Sequence, residues 1–324
     1  MSFANSAISD VVATTIQSRT GIVADNVTKN NAILTKLNGR GNVKPFSGGN
    51  VIMQELSFQE NANAGWYSGY QALPIGAQDV ISAAQYDIKQ AACGITMSGL
   101  EMLQNASKEQ IIDLMEARIK VGEATMANLI SQGLYSDGTA AGGKQMVGLA
   151  VAVSKTPATG IYGGIDRLSW TFWRNQAAVG VGGAATAANI QQKFNSMYAQ
   201  TSRGADHVDL IMVDNGYWAL FMASLQLMQR FQDSAMAKLG FPSVQYMQSD
   251  VVLDGGIGGY APVNVAYFLN TKYLFLRPHR ARNFVPLDPS KRYSVNQDAV
   301  VQLIAWAGNL TASGTQFQGI IADA

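Results

Sequence analysis

A segment of 21 residues between two predicted β-strands constrains this sequence more than any other feature. Residues 59–79, QENANAGWYSGYQALPIGAQD, have neither a helical nor a strand period, yet five of their side chains are aromatic or large and aliphatic. The flanking segments 50–59 and 78–99 are predicted strands, and the second is long enough to continue into another part of the fold. A loop of this length on a paired stem is typical of a binding loop or an extended arm.

The five large side chains of this loop, Trp66, Tyr67, Tyr70, Leu73 and Ile75, need a surface to cover them. A two-stranded hairpin that projects into water is marginally stable, and exposed rings on it would form an apolar patch that marks an interaction site. We therefore predict that the five residues form an intersubunit contact and that the protein is a homo-oligomer.

The composition leaves few charges for a free surface. Charged residues make up 14% of the sequence and hydrophobic residues 48%, whereas typical soluble domains have roughly 25% charged residues. Either uncharged polar side chains or neighbouring chains must therefore cover the surface. The net charge of +1 argues against the strong basic field of a dedicated nucleic-acid-binding protein.

The clearest single element is a helix predicted over residues 107–133. Ser107 and Gln110 form a capping-box signature, and Gly133 supplies a stop. At 1.5 Å per residue such a helix would be roughly 40 Å long, which suggests a structural spine. Three- and four-residue spacings place one apolar stripe along it, formed by Ile111, Ile112, Met115, Ile119, Met126, Leu129 and Ile130.

The remaining sequence predicts mixed α/β layers preceded by an arm. Residues 1–44 are expected to form that arm, with one short helix at most. Predicted strands cover 146–153, 207–214, 251–256, 264–270, 272–278 and 298–312, and predicted helices cover 187–204 and 216–233.

No motif of the sequence predicts catalysis. Gly138–Lys144 nearly matches the phosphate-binding loop, but Gln145 replaces the required hydroxyl and the motif follows a helix instead of a strand. Asp206, His207 and Asp209 have no accompanying nucleophile elbow. The single Cys93 and the two distant histidines, His207 and His279, give no metal-ligand spacing, so we predict no metal and no cofactor. A nucleotide-dependent enzyme that uses Gly138–Lys144 is the least favoured alternative.

A small basic segment has two open interpretations. Arg277, His279, Arg280 and Arg282 lie near Phe284 and could contact nucleic-acid phosphates or form intersubunit salt bridges. The aromatic cluster at 168–176 is expected to pack within the protein or at an interface.

Residues 1–20 lack the pattern of a signal peptide, and no run approaches about 18 apolar residues. We therefore expect synthesis in a cytosol and no membrane contact.

The order of arm, long hairpin, spine helix and Gly-rich α/β region resembles the major capsid protein of tailed bacteriophages, the Hong Kong 97 type. The segments that carry the resemblance are IYGGIDRLSWTFWRNQ (161–176), HVDLIMVDNGYWALF (207–221), VAYFLNTKYLFLRP (265–278) and QLIAWAGNLTASGTQFQGII (302–321). The resemblance implies an α+β fold with four parts. These are an N-terminal arm (1–44), an extended E-loop hairpin (45–80), a peripheral domain (81–150 with 286–324, containing the spine helix) and an axial domain (151–285).

The resemblance also implies a structural function without catalysis. Such subunits form pentamers and hexamers of an icosahedral shell, assembled in the bacterial cytoplasm with scaffolding, portal and sometimes decoration proteins, and located in the virion. The shell encloses double-stranded DNA, for which the near-neutral charge predicts weak, non-specific contact. The short N-terminal segment suggests that a scaffold is a separate protein, and no covalent crosslink between subunits is inferred. An encapsulin-like cellular compartment, which shares the fold, is the alternative.

Overall fold

The computed structural model describes residues 31–73, 75–104, 108–225, 243–255, 259–286, 292–293 and 298–323. Helices within these ranges are α1 (Ala32–Gly39), α2 (Gly99–Gln104), α3 (Lys108–Leu134), α4 (Ala140–Gly143), α5 (Leu149–Ala152), α6 (Ile190–Thr201) and α7 (Asn215–Leu225). The first strands are β1 (Val51–Ser57), β2 (Ile81–Asp87), β3 (Lys89–Ser98), β4 (Ile161–Tyr162), β5 (Ile165–Asp166), β6 (Gln176–Val179) and β7 (Leu210–Val213). The remaining strands are β8 (Ser243–Tyr246), β9 (Ser249–Leu253), β10 (Val265–Leu269), β11 (Leu274–Pro286), β12 (Arg292–Tyr293), β13 (Ala299–Ala312) and β14 (Gly319–Ala322). Short 3-10 helices cover Thr171–Trp173 and Thr271–Tyr273.

A six-stranded mixed sheet forms one half of the core, in the order β6-β14-β10-β7-β9-β8. The β6–β14 and β7–β9 pairs are parallel, and the other pairs are antiparallel. In β7 the side chains of Leu210 and Met212 pack into one hydrophobic cluster, while Ile211 and Val213 pack into another, with α6 and α7. Because both faces of this sheet are covered, its strands are continuously apolar instead of alternating.

A second sheet is built on β13, which pairs antiparallel with β11 and β12 on one side and with β3 on the other. The spine helix α3 packs against β3. A Cβ atom added at Gly122 in α3 would lie 2.9 Å from Ile95 Cδ1, so a glycine allows the helix to approach the strand closely.

The helix α3 confirms the predicted spine, but its apolar stripe is only partly buried. Met126 and Ile130 are buried, whereas Leu129 is 43% exposed. Ser107 of the predicted capping box lies outside the described residues, as do the side chains of Ile111, Ile112 and Met115.

One prediction about an element needs correction. Residues 146–153 were expected to form a strand, but the structure has helix α5 there; short apolar runs do not distinguish a strand from a buried helical turn. The predicted domain bounds stay a prediction. Strand β11 ends at Pro286, beside the predicted boundary, and β14, which follows β13, pairs with β6 and β10.

The arm joins the body from residue 31 onward. Helix α1 buries Ile33 and Leu37, and its cations reach the end of the six-stranded sheet: Lys36 Nζ lies 2.9 Å from Asp250 and Arg40 lies 3.3 Å from Asp209. Val43 and Phe46 then form parallel bridges to β11. The predicted arm is therefore part of the core in its described portion, because its apolar and basic side chains have partners there.

Gly148 provides a test of the contact between α3 and α5. A Cβ atom at this position would lie 2.4 Å from the carbonyl oxygens of Gly133 and Leu134. Gly148→Ala should therefore lower the free energy of unfolding by about 1–3 kcal/mol or more, as overpacking does, measured by urea denaturation. Gly39→Ala is the control, since nothing lies within 4 Å of its added Cβ. An equal effect of both substitutions would contradict this contact.

Asp254 gives a pH-dependent prediction. Burial raises the pKa of this carboxyl, which accepts a hydrogen bond from the Tyr135 hydroxyl. The pKa of this carboxyl is therefore higher in the folded protein than in the unfolded chain. Its contribution to stability is fully present below the pKa of the unfolded chain, and it is lost as the pH rises through the pKa of the folded protein. Asp254→Asn should therefore become progressively more stable than the natural protein as the pH rises above about 4.

The measurement is urea denaturation of both proteins over a pH series. Asp137→Asn is the control with the opposite sign, because hydrogen bonds from the backbone and side chain of Thr139 lower the pKa of Asp137. A stability difference between Asp254→Asn and the natural protein that does not change with pH would contradict the prediction.

Candidate assembly surface

The long hairpin has a stem that is packed on the body along one face. Strands β1 and β2 pair antiparallel from Val51↔Asp87 to Ser57↔Ile81. On the inner face Ile52, Leu56, Ala84 and Tyr86 are buried, whereas Met53 and Ile81 on the other face are 54% and 73% exposed. The alternation places the stem's apolar stripe on the core.

Tyr86 attaches the stem to the end of β13. Its hydroxyl donates to the Ala312 carbonyl at 3.1 Å and accepts from the Ala312 amide at 3.2 Å. Burial raises the pKa of Tyr86 to about 12, so the phenol keeps the proton that it donates. Gly163, at φ +60°, leaves room for the ring: an added Cβ would lie 2.9 Å from the Tyr86 ring.

A buried arginine organises the β4–β5 hairpin beside the stem. Arg167 is 1% exposed, and its guanidinium donates to the carbonyls of Ala152 at 2.8 Å and Trp173 at 3.3 Å. It lies 5.5 Å from the centre of the Tyr162 ring, and burial lowers its pKa. Among the described residues no carboxylate pairs with it. The sequence showed no signal for this role, because Arg167 stands alone in a turn-rich segment.

An aromatic cluster supports the hairpin where its stem ends. The Phe58 ring lies 5.6 Å from Trp170 and 6.2 Å from Phe172, and the Phe58 amide bonds to the Val80 carbonyl across the hairpin. The 168–176 cluster therefore packs within the protein, as predicted. Residues 59–79 begin directly after this contact.

The loop beyond this cluster is uncovered. Trp66 and Tyr70 have relative exposures of 103% and 110%, and Ile75 of 92%. Tyr67 and Leu73 are 66% and 54% exposed. The chain thus presents all five residues of the predicted contact to the outside. Their contact with another subunit stays a prediction.

The basic segment of β11 separates into two parts. Arg277 is half-buried and donates to the Gln54 side chain of the stem at 3.1 Å, and the His279 ring packs edge-on against Phe46 with centroids 5.0 Å apart. Arg280 and Arg282 are exposed, and Arg282 donates to the exposed Gln90 side chain at 3.1 Å. The four residues therefore form no continuous surface: two belong to internal contacts and two face outward.

The other candidate motifs have structural contacts. Gly138–Lys144 lies between α3 and α5, where Ala141, Gly142 and Gly143 have positive φ angles. A phosphate-binding loop instead requires a strand before it and a helix behind it. The carboxylate of Asp206 accepts hydrogen bonds from Lys272 and Tyr273, and that of Asp209 accepts hydrogen bonds from Thr271.

In the portion of the chain that the structure covers, no helix is long and apolar enough to span a membrane.

Tyr86→Phe tests the attachment of the stem. Removing the hydroxyl leaves the buried amide and carbonyl of Ala312 without this partner, which should cost about 1–3 kcal/mol in the free energy of unfolding. Tyr70→Phe is the matched control and should leave the unfolding of the single chain unchanged, because its phenol is fully exposed. Urea denaturation of the unassembled chain measures both, and equal midpoints for the two variants would contradict the attachment.

Comparison with solved structures finds the same architecture along almost the whole chain. The cyanophage A-1(L) capsid asymmetric unit is 16% identical, with a TM-score of 0.72 over 93% of this chain and 95% of that one. The capsid of the native GTA particle is 13% identical, with a TM-score of 0.60 over 94% of each chain. A chain of Gordonia phage Cozz is 11% identical, with a TM-score of 0.54 over 95% of this chain and 93% of that one.

No family model matches the sequence, and no curated protein matches it. At identities of 16% and below, the similarity is one of fold. The chain has the α+β Hong Kong 97-type fold of phage capsid proteins that the order of its elements predicts.

Proposed function

We propose that this protein is the major capsid protein of a tailed bacteriophage and that its function is structural. Pentamers and hexamers of the chain would form an icosahedral shell that encloses double-stranded DNA. The fold supports this proposal because it is shared with the chains of the cyanophage A-1(L) capsid and the GTA particle capsid over more than nine-tenths of both partners. Its partners would include scaffolding and portal proteins in the bacterial cytoplasm, with decoration proteins as optional partners.

The observation that carries the proposal is the exposed aromatic loop on an anchored stem. Burying an aromatic side chain removes on the order of 150 Å² or more from water, worth about 4 kcal/mol before the loop's ordering entropy is subtracted. Trp66, Tyr67 and Tyr70 each present such a ring. Because the stem is fixed on the body, less ordering entropy is lost when the loop meets a second copy.

The low net charge of the chain is compatible with a shell that encloses DNA. A net charge of +1 over 324 residues leaves little general attraction for phosphates, and strong attraction would hold packaged DNA against the wall. The proposed contact with DNA is therefore weak and non-specific.

Replacing the three rings tests the proposal. The Trp66→Ala/Tyr67→Ala/Tyr70→Ala variant should keep the unfolding midpoint of the single chain, since the rings touch little of it, but should form no closed particles. Sedimentation and negative-stain microscopy, with the protein expressed alone and with a candidate scaffold, measure particle formation.

The matched control is Trp66→Phe/Tyr67→Phe/Tyr70→Phe, which keeps three rings and should still assemble. Particle formation by the alanine variant at the natural level would contradict the role of the loop. A natural protein that stays monomeric at high concentration, with and without scaffold, would refute the proposed function itself.

A further inference from the structure

The hairpin and the strand β11 carry opposite charge. Residues 45–88 contain four acidic residues and no lysine or arginine, although the chain as a whole is nearly neutral. Residues 274–287 contain three arginines and no acidic residue. Segregation of this kind within one chain gives two surfaces that attract each other between copies.

On the hairpin, two carboxylates border an uncharged loop. Glu60 and Asp79 are exposed, and residues 61–78 between them contain no charged side chain. Neither carboxylate has an ion pair within the described part of the chain. The loop therefore presents aromatic rings in its middle and a negative charge at each side.

On β11, an irregularity of the strand presents two guanidiniums and a ring. The pairing of β11 with β13 shifts between Pro278 and Asn283 and again between Asn283 and Val285. Such bulges redirect side chains out of the regular ladder. Arg280 and Arg282 are exposed there, and Phe284 is 40% exposed at a φ of 57°, a left-handed conformation that is uncommon for a bulky residue and often marks a functional position.

We propose, on the basis of the function proposed above, that Arg280, Arg282 and Phe284 of one copy form the receptor for the hairpin loop of a neighbouring copy. Phe284 packs against the rings of the loop, and Glu60 and Asp79 pair with the two guanidiniums. Each chain then contributes one loop and one receptor. Such a head-to-tail contact closes into a ring when the rotation between copies divides a full turn, as the proposed pentamers and hexamers require, and it gives each of these groups a partner.

A second copy fits this receptor better than DNA does. The exposed part of the basic segment has only two cations, and it includes an apolar ring that a phosphate backbone does not need. The hairpin supplies matching groups of both kinds, carboxylates and aromatic rings. Contact of Arg280 and Arg282 with packaged DNA is the competing outcome of the experiment.

Reciprocal charge reversal tests the receptor in the full-length protein. Glu60→Arg/Asp79→Arg and Arg280→Glu/Arg282→Glu should each raise the critical concentration for particle formation by about tenfold or more, because like charges then face each other. The combined fourfold variant should return to within about threefold of the natural protein, since the pairs are restored with reversed sign. Assembly of the natural protein should also weaken between about 0.05 and about 0.5 M salt.

The matched control is Lys144→Glu/Lys155→Glu, which makes the same change in net charge as Arg280→Glu/Arg282→Glu, at two exposed lysines on other loops, and should assemble normally. Unfolding midpoints of the single chains show that the exposed substitutions leave folding intact. Sedimentation measures the critical concentrations.

Two results would overturn the inference. The first is normal assembly of Arg280→Glu/Arg282→Glu, and the second is a failure of the combined variant to recover. If the receptor variant assembles normally and its particles hold less packaged DNA, the two arginines are assigned to DNA. Both results leave the proposed function standing, whereas a natural protein that forms no particles under any of these conditions refutes both proposals.

Discussion

The backbone hydrogen bonding of β13 on both of its edges is the constraint on which the rest of the structure depends. One edge pairs with β3 beside the spine helix, and the other pairs with β11 and β12. Asn309, within β13, donates to the Asp87 carbonyl of the hairpin stem and accepts from the Val147 amide beyond α3. The chain then continues into β14, so one strand connects the spine, the hairpin and the six-stranded sheet.

This arrangement holds the stem of the hairpin on the body, while its loop projects outward. Tyr86 binds the end of β13, and the ring cluster around Phe58 supports the stem where the loop begins. The large side chains beyond that point have little of their own chain to cover them. In the described part of the chain, a packed body therefore carries an uncovered loop. This arrangement is expected when each subunit covers the loop of its neighbour, because the exposed apolar area of the loop is then buried only on association.

Some elements were predictable because their pattern is local and strong. The spine helix, strands β7, β10 and β13, and the long hairpin all lie where the sequence predicts them. The predictions failed where a short segment has two possible structures or where burial depends on the partner. Residues 146–153 contain a helical turn, and Gly148 before it fits against the end of α3. Leu129 belongs to the predicted apolar stripe but is 43% exposed. Arg167 shows that a buried cation held by carbonyls has no pattern in the sequence.

The sequence by itself determined that residues 59–79 carry large aromatic side chains between two predicted strands, and that charge is scarce and unevenly distributed, because both can be read from the order of residues along the chain. Only the tertiary structure decided which of the basic side chains face outward. Arg277 finds a partner on the stem and His279 packs against Phe46, whereas Arg280 and Arg282 are exposed in the irregular part of β11. The physical reason is that a side chain's exposure depends on contacts between segments that are far apart in the chain.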